Sequence, residues 1–567
     1  MRPILFHIQL NRAQLIPLSL FLGSLTLIWL VLTGIFTQIL FLLNVPISTW
    51  HLAITLFLTV LCGFIFADIW KLTRKTVLTV ELGYILLVCA SVLWAGNFID
   101  LSWDGNDYQQ RAIIHLRSGW NPIKTTLDPS NVYFNQAANH YPKLPWILGS
   151  GFYIVTGNIE HGKAPQALLI CSVFFLSVTL LMHFEMLKPI QIVLIAMLAA
   201  LNPVSTYQSL SYYVDGWGSS ITIALFVLFL LLYHRFDGAV LLAILMTVII
   251  GLNIKFTFTV YTVLLCLGFF SLLAFYWRSR EIGGNVKIGR LFQVLFISVV
   301  IGICIAGYQP YIINTIKYGN PFYPVIGGTE LNQTKIMEGQ YPGNFIGKSG
   351  LEKLIRSIFS RSGNPIGVGS NAQFKMPFAV DQNELFTFSA SDVRVGGFGP
   401  LFGGILLLAC AVFIANLNPT NGQKNIVAII LIVLVSGTAF SNPEYWWARY
   451  VPQLWIIPLV LLSLVWLSQG RLNILLGWVL SFVMLTNIIL IGVAYVGKNY
   501  YTTQDIRVHL AKMAAEHQTY AVDFRVFAPW RLKLEAYGIP YEDFTGRPLP
   551  CKSRSLHLIV FSKLNCP

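Results

Sequence analysis

The stretch LIPLSLFLGSLTLIWLVLTGIFTQILFLL, Leu15–Leu43, contains no charged residue. A helix needs ~20 apolar residues to cross ~30 Å of hydrocarbon, and this run exceeds that length. Arg2, His7 and Arg12 precede it. A signal peptide has an apolar core of about 7–15 residues with a small-residue cleavage site behind it. The run is too long and no such site follows, so it reads as a retained first helix. Similar segments recur at about 50–67, 77–95, 164–184, 189–204, 218–234, 238–253, 256–277, 291–308, 398–416, 425–440, 451–468 and 473–496. The expectation is an all-α polytopic membrane protein with about 13 transmembrane helices. Composition agrees: 55% of the 567 residues are hydrophobic and only 11% are charged, against roughly 25% charged in an average soluble domain.

The formal net charge is +14, but no compact basic module stands out, so nucleic acid is not an expected partner. Basic residues in such a chain set orientation or meet phosphate groups. The short connections alternate in charge. One set carries Lys71, Arg74, Lys75, Lys188, Arg235, Arg278, Arg280, Lys287, Arg290, Lys424 and Arg471. The other is nearly free of Lys and Arg, with Lys255 and Arg449 as the exceptions. The positive-inside rule places the first set in the cytoplasm with the N-terminus. The loops of about 96–163 and 309–397, and the tail from about 497, then face outward, which in a bacterial inner membrane is the periplasm.

This divides the chain into a transmembrane domain, 1–496, and a small periplasmic α/β domain, 497–567. In the tail, Thr503–His517 and Pro529–Tyr537 read as helices, and Tyr520–Phe524 and Leu556–Phe561 as strands. About 70 residues give a marginal core, and a Cys551–Cys566 disulfide suits an oxidising compartment. Cys62, Cys89, Cys171, Cys266, Cys304 and Cys410 lie in apolar segments and read as small core residues. Leu144–Thr156 is apolar but short, which fits a re-entrant or interfacial helix at the outer surface.

Candidate chemistry gathers on the outer side. Ser102-Trp103-Asp104-Gly105-Asn106-Asp107-Tyr108 places two carboxylates in or beside the first turn of a helix running to Leu116. A helix N-terminus favours their ionised form, and an ionised carboxylate can accept a hydroxyl proton. The competing use is N-capping by Asp104 or Asn106. Asp215, in Ser211-Tyr212-Tyr213-Val214-Asp215-Gly216-Trp217, stands at the outer end of a span, with aromatic neighbours that suit either an interfacial belt or a sugar platform. Lys255 lies in Asn253-Ile254-Lys255-Phe256-Thr257, and Arg449 in Glu444-Tyr445-Trp446-Trp447-Ala448-Arg449-Tyr450. Arg offers a planar fork for two phosphate oxygens and Lys a point charge; snorkelling toward headgroups is the alternative. The chain has no Walker-type glycine loop and no His-Glu-x-x-His, which argues against ATP-driven or zinc-hydrolase chemistry. A divalent metal between Asp104, Asp107 and Asp215 would have no local ligand spacing behind it, so no cofactor is assigned.

Together these pieces resemble the GT-C superfamily of integral-membrane glycosyltransferases. The closest likeness is to bacterial members that use polyprenyl-phosphate-linked sugars, such as the protein mannosyltransferases and aminoarabinose transferases. The carrying motifs are Trp103–Tyr108, His140-Tyr141-Pro142-Lys143, Tyr213-Val214-Asp215-Gly216, Asn253–Thr257, Tyr318-Gly319-Asn320-Pro321-Phe322-Tyr323-Pro324 and Ala448-Arg449-Tyr450. The resemblance implies a GT-C-like transmembrane domain, a polyprenyl-phosphate-linked sugar as donor, and an acidic base in the first outer loop, which falls on Asp104 or Asp107. It also implies basic residues on the donor phosphate, matched best by Lys255 and Arg449. Asp215, Tyr108, Arg111, His140, Tyr141 and Lys143 are the candidates for substrate binding. One departure is that many family members place the acidic loop after their first helix, whereas here about three spans precede it. The expected reaction is inverting transfer of one sugar to a hydroxyl of a glycan, lipid or protein acceptor in contact with membrane lipids. The competing readings are an O-antigen-type polymerase or ligase and a flippase or transporter of lipid-linked saccharide. Transporters often carry internal repeats and midplane polar sites, and neither stands out here.

Overall fold

The computed structural model describes residues 12–127, 137–280, 283–326, 337–417, 421–468 and 470–565. Eight helices are long and apolar enough to cross a membrane: Arg12–Leu42, Arg74–Gly96, Ile159–Leu181, Asp215–His234, Phe256–Arg280, Gly284–Cys304, Gly422–Phe440 and Arg471–Ala515. Six shorter apolar helices accompany them: Trp50–Ile65, Leu144–Thr156, Pro189–Ala200, Gly238–Leu252, Phe402–Ala415 and Pro452–Trp466. This is the helical inventory of a membrane protein. Every expected span falls on one of these helices, but the expected thirteen full-length crossings do not appear by length. Pro189–Ala200, for example, has 12 residues, and at ~1.5 Å per residue it covers well under ~30 Å. Asn202-Pro203 starts a separate short helix immediately after it, because the Asn202 side chain caps the Ser205 N–H at 3.0 Å.

Burial sorts the helices into layers. Asp215–His234 is buried over 89% of its most apolar 18 residues, so it sits at the centre. Gly284–Cys304 and Arg74–Gly96 are only 17% and 28% buried. The exposed Leu78, Leu82, Leu86 and Leu93 of the latter form the kind of face lipid covers. Interior polar groups join helices where water is excluded: Thr33 Oγ1 and Trp29 Nε1 both donate to Thr55 Oγ1, at 3.0 and 3.1 Å.

The basic connections meet at one end of the bundle. Lys71 pairs with Asp237, Arg235 Nε lies 3.4 Å from the same carboxylate, and Lys287 sits over the Phe236 ring. Arg12 donates to the carbonyl oxygens of Phe184 and Leu187 at 3.0 and 2.6 Å. The 25-residue helix Phe256–Arg280 separates Lys255 from Arg278 and Arg280, a length of roughly 38 Å at 1.5 Å per residue.

The long connections and the tail differ from expectation in three places. Leu144–Thr156 is a helix, but Leu144 through Tyr153 are all buried. It packs on Ile113 and Leu116 of the first loop rather than lying on the surface. The boundary expected at 497 falls inside one continuous helix, Arg471–Ala515, because no Gly or Pro between Val496 and Ala515 interrupts it beyond Gly497. The tail forms four strands, not two: β1 (Tyr520–Asp523), β2 (Tyr541–Asp543), β3 (Arg554–Leu556) and β4 (Ile559–Lys563), in the order β2-β1-β4-β3. The expected strand Leu556–Phe561 is instead the β3–β4 hairpin, turned at His557, whose φ is +52°. Val522, Phe524, Phe527, Trp530 and Leu534 fill the small core together with Ile99 of the first long loop. Cys551 is disulfide-bonded and the other six described cysteines are free. Cys566, its expected partner, lies outside the described residues.

Candidate functional site

A π-helical turn, Gly105–Gln109, runs directly into the α-helix Gln110–Arg117. Its anchor is Asp100, which is fully buried. Asp100 Oδ1 accepts from the Ser102 N–H at 2.9 Å, and Oδ2 from the Tyr212 N–H at 3.2 Å and Gln110 Nε2 at 3.3 Å. Asn106 Nδ2 turns inward and donates to the carbonyls of Asp100 and Ser102, both at 2.8 Å. A Cβ at position 105 would collide with the Asp100 carboxylate and the Ser102 hydroxyl, so glycine is required there. Asp104 stands at the N-cap position but its side chain makes no capping hydrogen bond. Neither candidate cap therefore caps: Asn106 is spent on carbonyls, and Asp104 faces a cavity.

That cavity measures about 1080 Å³, and its walls include Asp104, Tyr213, Lys255, Asp392, Arg449 and Tyr450. Arg449 Nη1 lies 3.5 Å from Asp104 Oδ2 and 3.5 Å from Asp392 Oδ2. The guanidinium is caged by the rings of Trp447, Tyr450 and Tyr213, at 4.7, 4.9 and 5.2 Å. It is 8% exposed, and its Nε and Nη1 have no hydrogen-bond partner among the described residues. Lys255 Nζ pairs with Asp215 Oδ1 at 2.7 Å and lies 5.1 Å above the Tyr450 ring. Asp392 Oδ1 accepts from Trp447 Nε1 at 3.0 Å. Lys255 and Arg449 thus each have a fixed carboxylate, and Asp104 is a third. Burial raises the Asp104 carboxyl above its ordinary value, although Arg449 and Lys255 pull it back. A carboxylate tuned upward is a better proton acceptor.

The other expected residues divide between wall and interior. Tyr108 and Tyr141 line the cavity, and Asp215 stands behind Lys255. Asp107 is 7% exposed and not in the wall. Burial first, then the Asp104 charge, push its carboxyl up to about 6, with Arg111 beside it pulling the other way. The wider π turn is the reason: it moves residue i+3 off the face that an α-helix would share. Arg111, His140 and Lys143 also lie outside the wall. His140 Nδ1 is 3.1 Å from Asn314 Oδ1, its ring is packed by Tyr318 and Tyr323, and burial lowers it to about 4. Lys143 is 1% exposed and donates to the Tyr141 carbonyl at 2.8 Å. These two hold the loop together. Among the described residues, no group of three or more His, Cys, Asp or Glu side chains is placed to hold a metal ion.

Asp392 and Arg394 line the cavity but were not among the expected residues. The signal was available: they sit a few residues before an apolar helix, as Lys255 and Arg449 do. No protein-family model matches this chain, and no curated protein matches it.

Proposed function

We propose that this chain is a GT-C-like glycosyltransferase that moves one sugar from a polyprenyl-phosphate donor to an acceptor hydroxyl at the periplasmic face of a bacterial inner membrane. The observation that carries this reading is the cavity itself. Buried cations share a single chamber with Asp104, which divides Arg449 with Asp392 at 3.5 Å each, and Arg449 Nε and Nη1 have no hydrogen-bond partner among the described residues. Unpaired buried donors are costly unless an acceptor reaches them, and a phosphate oxygen is the acceptor that a guanidinium fork fits best.

In this mechanism Arg449 and Lys255 hold the donor phosphate. The acceptor oxygen attacks the anomeric carbon as the bond from that carbon to the phosphate oxygen breaks. The bonding electron pair stays on the phosphate, where Arg449 and Lys255 stabilise it. Asp104 takes the hydroxyl proton. The transition state has oxocarbenium character, and a single displacement inverts the anomeric centre. Trp103, Tyr108 and Tyr141 supply aromatic faces for the sugar.

The experiment is mass spectrometry of envelope glycans, lipids and glycoproteins from cells carrying the wild-type gene, no gene, or Asp104→Asn. The reading predicts a single-sugar mass increment present only with the wild-type gene. Identical profiles in all three would refute it. Loss of a polymer ladder rather than a single increment would favour a polymerase or ligase.

A further inference from the structure

The far end of the chain grips the segment that carries Asp104. Arg507 Nη2 donates to the Asn97 carbonyl at 3.1 Å. The Ile99 N–H donates to Thr503 Oγ1 at 3.1 Å, and the Ile99 side chain is part of the tail's own core. The His557 ring nitrogen lies 3.2 Å from the Leu101 carbonyl oxygen. Trp103 stands edge-on to Phe527 at 4.7 Å. Between these contacts, the Asp100 N–H donates to Glu160 Oε2 at 2.9 Å. Glu160 in turn pairs with Lys163 at 2.7 Å and with Lys533 at 3.4 Å, and all three side chains are buried. Leu558, in the β3–β4 turn, forms part of the cavity wall.

We propose that the C-terminal unit is the clamp that positions Asp104, and that Lys533, acting through Glu160 and the Asp100 backbone, is a positioning residue for it. The claim about Asp104's task rests on the proposed transferase reading. A buried ion pair between the tail and the loop is weak as a source of stability, because desolvation offsets its attraction; its best use is to fix geometry. The contacts at Asn97, Ile99, Asp100, Leu101 and Trp103 fall on nearly every residue leading to Asp104. Small displacements of a reacting group are expensive in rate, so a loop gripped this closely has a kinetic reason to be gripped.

The test uses full-length protein in detergent with Lys533→Met. Glu160 keeps Lys163, so no lone buried charge is created. Hydrogen exchange in peptides covering 97–104 should accelerate about tenfold, while exchange in 215–234 stays unchanged. kcat should fall about tenfold with donor KM unchanged, and Lys533→Arg should restore both readouts. Should Lys533→Met not insert, Thr503→Val removes the hydroxyl under the Ile99 N–H at nearly constant volume and should act in the same direction. Wild-type exchange in 97–104, or faster exchange with unchanged kcat, would overturn the clamp. Turnover retained in Asp104→Asn would instead overturn the base reading and leave the exchange result standing, so the two failures are separable.

Discussion

Asp104 is the carboxylate whose cation is shared. Asp215 holds Lys255 at 2.7 Å, and Asp392, fixed by Trp447, holds Arg449. A positioned base contributes about 10²–10⁴-fold, so Asp104→Asn should lower single-turnover transfer at least 100-fold on that scale. Asp107→Asn, on a group turned away from the cavity, should lose less than about tenfold. Comparable losses in both would contradict the assignment. The same carboxyl dictates a pH dependence. A general base works only when deprotonated, and burial raises the Asp104 pKa above the ~3.9 of a free Asp. Acidification should therefore reduce kcat/KM before the ordinary carboxylate range is reached; a profile flat down to about pH 4 would refute it. Asp104, Lys255 and Arg449 were legible in the sequence because charges beside the outer ends of apolar runs need a reason. Asp392 obeys the same rule and was overlooked. Asp107 reads like Asp104 in the sequence, in or beside the same first turn, and only the π turn sets the two apart.

The π turn is the element on which the site depends, and Gly105 is its weakest point. Ala at 105 must push aside the Asp100 carboxylate and the Ser102 hydroxyl, an overpacking cost of about 1–3 kcal/mol. Gly105→Ala should lower the thermal midpoint and turnover together while leaving phosphate-lipid binding near wild type. Unchanged turnover at a lowered midpoint would separate the turn from the site. The long apolar helices were readable from composition because lipid imposes a minimum run of such residues. The shorter helices were placed as well but run shorter than the expected spans, as where Asn202-Pro203 closes Pro189–Ala200 and starts a new helix. The tail's strands were half visible: three- to five-residue strands carry too little alternation to read, and the turn at His557 left no Gly or Pro to mark it.

At the scale of the molecule, one end gathers the basic connections and the other holds the cavity, the long loops and the tail. The proposed orientation puts the basic end in the cytoplasm. In a background without the six free cysteines, an impermeant thiol reagent on intact cells should label Ser553→Cys in the tail and spare Ser279→Cys at the end of Phe256–Arg280. The reverse pattern would invert the topology. What sequence could not convey at this scale is that the tail meets the loop around residue 99, because no local pattern announces that Ile99 completes the tail's core. The central claim is that this cavity receives a lipid phosphate on Arg449. Its most direct test is titration of the purified protein with farnesyl monophosphate, with farnesol as control, followed by the fluorescence of the wall residues Trp103 and Trp447. Saturable binding of the phosphate but not the alcohol, about tenfold or more weaker in Arg449→Ala and tighter in Asp104→Asn, is the predicted result. Equal affinity of wild type and Arg449→Ala would contradict it.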